Sequence, residues 1–284
     1  MTTQQESGWA TGWSADDPAD IGFAWAPDDG GEYVESDGFS VRDLGLDEAS
    51  GGALGVRRVK VDDPEAASQW RSSDADFDFL FVISGSVKVE NELGETVDFG
   101  VGGAAQHPAG VSYRLSDFSA DFEAVQATSP ARPTVTLGAP EGSVGKSGST
   151  PVYTHDTDDE YVAGAGPRKF FFYRDLGTRE PTEERIHFHV VRATEPGEGT
   201  GWHYHTMAQW FMVLGGNAVI RVEDRERYPL GWGDAMCVGR GTGMRHNVTD
   251  FTGDYLVLEM CVPAGYDTIP TETPEGADPV GTRD

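Results

Sequence analysis

The sequence predicts an all-β protein built as two tandem jelly-roll barrels, and two observations carry that prediction. The chain matches itself: FSVRDLG at 39–45 matches FFYRDLG at 171–177, so Arg42, Asp43, Leu44 and Gly45 recur 132 residues later. Trp70 and Trp202 share that offset, and DFLFVISGSVKV from Asp78 aligns with QWFMVLGGNAVI from Gln209 at an offset of 131. Self-similarity over so long a stretch means two copies of one domain. Both copies also consist of short apolar runs, at 56–61, 79–83 and 87–90 in the first and at 186–192, 210–214, 218–222 and 255–262 in the second. Turns bearing Gly and Pro separate them, 37 Gly and 16 Pro in 284 residues, and no helical period intervenes. Antiparallel barrels made of such strands close off exposed edges.

Taken in order, residues 1–38 read as an extended N-terminal arm, rich in Asp, Gly and Pro yet carrying Trp9, Trp13, Phe23 and Trp25. A disordered acidic tail rarely holds so many aromatics, so the arm is expected to lay these rings on the body or on a neighbouring subunit. Residues 39–126 form the first barrel, and 127–167, dense in Pro, Gly, Ser and Thr, form a linker with a short strand at 134–137. The linker contains GSVGKS, but Pro140 stands where a phosphate loop needs glycine and nothing after Ser147 reads as a helix, so the run is flexible linker. Residues 168–263 form the second barrel and 264–284 a mobile tail.

The charge excludes whole classes of partner. Forty-eight Asp and Glu against 21 Lys and Arg give a net charge of −27, and four of the basic residues are lysines. Nucleic acid and anionic membranes are repelled by such a field, and no basic segment suits a direct transcription factor. A carboxylate-covered surface suits a salt-rich setting, and a compositional bias of the lineage gives the same pattern. Cys237 and Cys261 sit in apolar contexts with no framework spacing, the N-terminus lacks a signal-peptide pattern, and no apolar run reaches membrane-spanning length. A cytoplasmic location is expected.

The chemistry concentrates at 197–216. His203 and His205 are two apart, so on an extended strand both imidazoles leave the same face and form a chelate. Gln209 follows, then an apolar run and the Gly215-Gly216 turn, and His246 comes later in GTGMRHN. An H-x-H pair alone is no more than two polar residues on a solvated strand face; a third histidine and flanking glycines at fitting distances make it a metal set. The stretch GEGTGWHYHTMAQWFMVLGG resembles the first motif of the cupin family, G-x5-H-x-H-x3-4-E-x6-G, and GDAMCVGRGTGMRHN resembles the second. Gln209 stands where most cupins carry Glu, and Gly239 and Gly241 where the second motif usually has proline. The resemblance spans about residues 39–263 and implies a two-barrel cupin with one live site. It further implies one divalent metal ion per chain, held by His203, His205 and His246. Gln209 is either a fourth ligand or a hydrogen-bonding neighbour. Imidazoles suit Fe, Zn, Ni, Cu or Mn, and Fe(II) is favoured because cupin oxygenases commonly use it.

Strand parity adds candidates. If Gln209 points into the barrel, Phe211 and Val213 do also, while Trp210 and Met212 face outward. In IHFHVVRA, His187, His189 and Val191 share a face opposite Arg192. His189 is therefore a candidate catalytic base, and His187 and Phe211 candidate substrate contacts; the alternative is that the histidines are satisfied core residues. In the first barrel the matching positions hold Arg71, Ser73, Asp78 and Tyr113, so that barrel is expected to keep its fold for packing against its twin, with a carboxylate site as the alternative. The expected function is an Fe(II) dioxygenase acting on a small aromatic or dicarbonyl-like compound. The alternatives are a metal-dependent isomerase or lyase of a small polar metabolite and a non-catalytic small-molecule binder. A homodimer is expected.

Overall fold

The structure, a computed structural model, describes residues 9, 11–140, 150–157, 160–164 and 169–277. The GSVGKS run and the last residues of the expected tail lie outside the described residues. The chain divides into two compact units, one of Met1–Ala19 with Gly31–Asp156 and the other of Asp20–Gly30 with Thr157–Asp284.

Each unit is a sandwich of two antiparallel sheets. In the first, a seven-stranded sheet has the central neighbours Ala104–His107, Phe77–Ser84, Glu123–Ser129, Gly55–Val61 and Phe39–Asp43, and a five-stranded sheet includes Arg71–Ser73, Tyr113–Ser116 and Val87–Asn91. In the second, the corresponding neighbours are Ala235–Val238, Ala208–Gly215, Leu256–Val262, His187–Ala193 and Phe171–Asp175; the facing six-stranded sheet includes Ala218–Val222, His246–Phe251 and His203–His205. The apolar runs read from the sequence fall within strands because alternate residues fill the space between the sheets: Val191, Phe211, Val213 and Val257 from one sheet meet Ile220, Val222 and Phe251 from the other. Trp210 and Met212, on the opposite side of their strand, are also buried, at 1% and 0% exposure, so neither face of this strand is solvated.

The repeated Arg-Asp-Leu-Gly is a structural device. In both copies the Asp carboxylate accepts from the glycine N–H two residues on, at 2.6 Å from Asp43 to Gly45 and 2.6 Å from Asp175 to Gly177. Leu44 and Leu176 are buried beside that turn, and so are Arg42 and Arg174. The Gly215-Gly216 reversal also forms as read: Gly216 has φ 66°, and a Cβ there would lie 2.7 Å from the Tyr255 backbone nitrogen, so only glycine fits.

Four stretches form elements that the sequence reading did not assign. Two one-turn helices, Leu46–Ala49 and Pro64–Ala67, are too short to show a period; the second is capped by the Asp63 side chain, with Pro64 in the first turn. Within the stretch read as an arm, Ala24–Ala26 pairs with Ala235–Val238 at the edge of the second unit's sheet, and Phe23 and Trp25 pack on Tyr228 at 5.6 and 5.4 Å. The stretch read as a mobile tail contributes the strand Thr268–Pro270, hydrogen-bonded to His203–His205. Its mixed Thr, Ile and Pro content hid a strand whose pairing partner lies over sixty residues away. Among the described residues, no helix is long and apolar enough to cross a membrane.

Candidate metal centre

Three histidines converge because two strands pair in one register. His203 and His205 leave the same face of their strand, both 4% exposed, and His246 opens the antiparallel neighbour directly opposite His203. The three ring centroids are 4.4–5.1 Å apart, and one ligand nitrogen from each lies within 4.8 Å of the others. The second ring nitrogens are anchored. His203 Nδ1 lies 2.7 Å from the Gly201 carbonyl oxygen, His246 Nδ1 3.0 Å from that of Met244, and His205 Nδ1 3.0 Å from the Thr268 hydroxyl. A carbonyl only accepts, so in the neutral rings of His203 and His246 the proton sits on Nδ1 and Nε2 keeps its lone pair. Metal-ligating histidines are commonly oriented in this way.

Gln209 arrives from the facing sheet and lines the same cavity, of about 60 Å³. Its Oε1 is buried without a hydrogen-bond partner. Leaving an amide oxygen unsatisfied costs about 1–3 kcal/mol, and a cation in the cavity would remove that cost. Three imidazoles with anchored Nδ1 atoms and one unpartnered amide oxygen fit a divalent transition ion.

Of the remaining sequence candidates, Phe211 lines this cavity, whereas His189 and His187 are not among its lining residues and lie on the strand next to that of Glu259. His189 is 2% exposed, and its Nε2 lies 3.5 Å from a carboxylate oxygen of Glu259, its partner in the strand register. Its Nδ1 faces His187 Nδ1 at 3.3 Å, and His187 Nε2 lies 3.4 Å from Asp175. Burial is the main cause holding the His187 imidazole below its ordinary range. His187, His189 and Cys261 form a second close group of donor atoms.

Glu259 itself lines the cavity with the three histidines, at 8% exposure, and was missed in the sequence reading. Its signal was present: one acidic residue inside the otherwise apolar strand LVLEMCV, and buried carboxylates are rare unless paired. Tyr266, beside His205 at a centroid distance of 5.6 Å, comes from the stretch read as a tail and gave no signal.

A cupin-domain family model matches residues 190–261. No curated protein matches the chain in sequence. Among solved structures, a mutant of the Bacillus subtilis oxalate decarboxylase is 14% identical, covers 89% of this chain and 79% of its own, and superposes with a TM-score of 0.61. Ylba from E. coli is 16% identical over 87% of this chain and 94% of its own, with a TM-score of 0.62. The Lactobacillus farciminis oxalate decarboxylase in its formate complex is 12% identical over 87% and 88%, with a TM-score of 0.61. At such identities the likeness concerns the fold: the chain is folded as two tandem cupin-type jelly-roll barrels, the second of which carries the cupin-domain match and the three-histidine cluster.

Proposed function

We propose that the C-terminal barrel is the active site of a divalent-metal enzyme that transfers a proton on a small oxygen-bearing substrate, with Glu259 as the proton-handling residue. The observation that carries this reading is that the Glu259 carboxylate opens onto the same cavity as the three imidazoles and the unpartnered Gln209 amide. His203, His205, His246 and Gln209 would hold the ion. When bound, it would supply Lewis acidity to a chelating carbonyl or carboxylate, and, as iron(II), reactivity toward dioxygen. All four donors are uncharged, so the set favours an anionic chelating substrate over a neutral one.

This chain's own residues do the rest. Glu259 accepts a proton from the substrate and returns it, and His189, 3.5 Å away on the neighbouring strand, orients that carboxylate. Phe211 and Tyr173 close the walls and exclude water. The iron(II) dioxygenase reading drawn from the sequence uses the same ligands; the carboxylate in the cavity is what favours proton transfer, as in a lyase or isomerase. Mn(II) joins Fe(II) as an ion to test, since the Bacillus subtilis oxalate decarboxylase has Mn(II) centres.

The test is metal analysis of purified protein, followed by reconstitution with Fe(II) or Mn(II) and a turnover screen over small dicarbonyl, hydroxy-acid and phenolic compounds. Glu259→Gln should keep its metal and lose turnover by about a hundredfold or more. Full turnover in that variant overturns the proton-transfer role. Oxygen consumption in step with product would restore the dioxygenase, and binding without turnover would leave a recognition barrel.

A further inference from the structure

The first barrel holds a cavity in the same place with different chemistry. Tyr113 pairs directly opposite Arg71 just as His246 pairs opposite His203, and Asp78 lies near the start of its strand as Gln209 does. The cavity measures about 80 Å³, and two guanidinium groups line it, from Arg71 and Arg57. Arg71 Nη2 donates to the Ala67 carbonyl at 2.9 Å, its guanidinium lies over the Phe39 ring at 4.8 Å, and its Nε is buried without a partner. Arg57 Nη2 donates to the Ala131 carbonyl. Both arginines are thus tethered through one nitrogen to backbone oxygen.

The buried carboxylate already present is hydrogen-bonded to other partners. Asp78 is 5% exposed, and its oxygens accept from Tyr113 Oη at 3.0 Å and Gln126 Nε2 at 3.1 Å. Burial raises its pKa, against the opposing pull of its two hydrogen bonds and of the Arg71 and Arg57 charges. Asp37 also lines the cavity but is exposed, where water screens it. The stacked His107, 3.9 Å from the Tyr113 ring, is pushed down to about 3 by burial and adds no positive charge. Val59, Leu80 and Leu115 supply apolar walls.

We propose that this cavity binds a small monocarboxylic acid with an apolar body, its carboxylate held by Arg71 and Arg57. A planar guanidinium pairs with a carboxylate through two parallel hydrogen bonds, and Arg71 and Arg57 are both half-buried at the cavity wall. In a chain of net charge −27, two inward arginines that, among the described residues, hydrogen-bond to backbone carbonyls and to no carboxylate mark a place suited to an anion. The inference is independent of the metal centre in the other barrel.

The test is calorimetric titration of the full-length protein with butyrate and with benzoate in high salt, which screens the overall negative field, alongside butyramide and benzamide as uncharged counterparts. At least one acid should bind with one-to-one stoichiometry, and its amide should not. Arg71→Gln should weaken binding by about tenfold or more, and His203→Ala should leave it unchanged. Should Arg71→Gln fail to fold, Leu80→Phe fills the cavity with the ring that the repeat carries as Phe211, and should abolish binding. No binding of either acid up to about 10 mM, or binding that survives Leu80→Phe and is lost in His203→Ala, overturns the proposal.

Discussion

His246 lies directly across the strand pair from His203, with ring centroids 4.4 Å apart. One register therefore assembles the metal centre: a slip of one residue would turn His246 to the other face of its sheet. Removing either ring should remove the metal. In His203→Ala or His246→Ala, purified protein should carry little ion. The rise in melting temperature that metal gives the parent, equivalent to about 2.7 kcal/mol at a hundredfold excess over Kd, should disappear. Elemental analysis and a thermal melt with and without metal check both.

Gln209→Glu should hold the ion more tightly and an anionic substrate less tightly, because the new carboxylate cancels part of the cation's charge and repels the ligand. Metal release to a chelator should slow, and KM for a carboxylate substrate should rise by roughly tenfold, about 1.4 kcal/mol of lost attraction. Unchanged metal release would place the amide outside the coordination sphere.

Glu259 and His189 should separate in kinetics. Glu259→Gln removes the proposed proton acceptor and should lower kcat by about a hundredfold or more with metal content intact. His189→Gln removes the group proposed to orient it, at 3.5 Å, and should lower kcat by about tenfold while shifting the pH–rate profile. A merely structural His189 would move stability and leave the profile in place.

His107 gives a pH dependence with a definite sign. Its folded imidazole titrates at about 3 against an ordinary value near 6.5, because burial disfavours the charged ring. The unfolded chain therefore binds the extra proton between those values. The stability that a neutral His107 preserves is full above pH 6.5 and is lost as pH falls toward 3, by up to about 1.4 kcal/mol per pH unit. Urea midpoints of His107→Gln should fall less steeply with acid than those of the parent. At neutral pH the variant should be weaker by about 1 kcal/mol for the lost stacking on Tyr113. Parallel pH slopes would show that the group is not the one titrating.

The duplication, the all-β class and the three histidines were legible in the sequence because each is written locally. The Arg-Asp-Leu-Gly turn repeats at a fixed offset, strand parity places His203 and His205 on one face, and glycines mark the reversals. Strand spans that lay in apolar runs were legible too; the polar edge strand Thr268–Pro270 was not, because its burial comes from a distant partner. Three-dimensional pairing was needed to set His189 opposite Glu259 in the strand register, so that the carboxylate lines the cavity with the imidazole 3.5 Å from it. The same pairing leaves Gln209 Oε1 without a partner and sets Arg71 beside Tyr113 in the wall of the first cavity. Alternation tells which face a side chain takes, but which strands meet, and in what register, is settled by long-range pairing among many buried faces, and no local pattern encodes it.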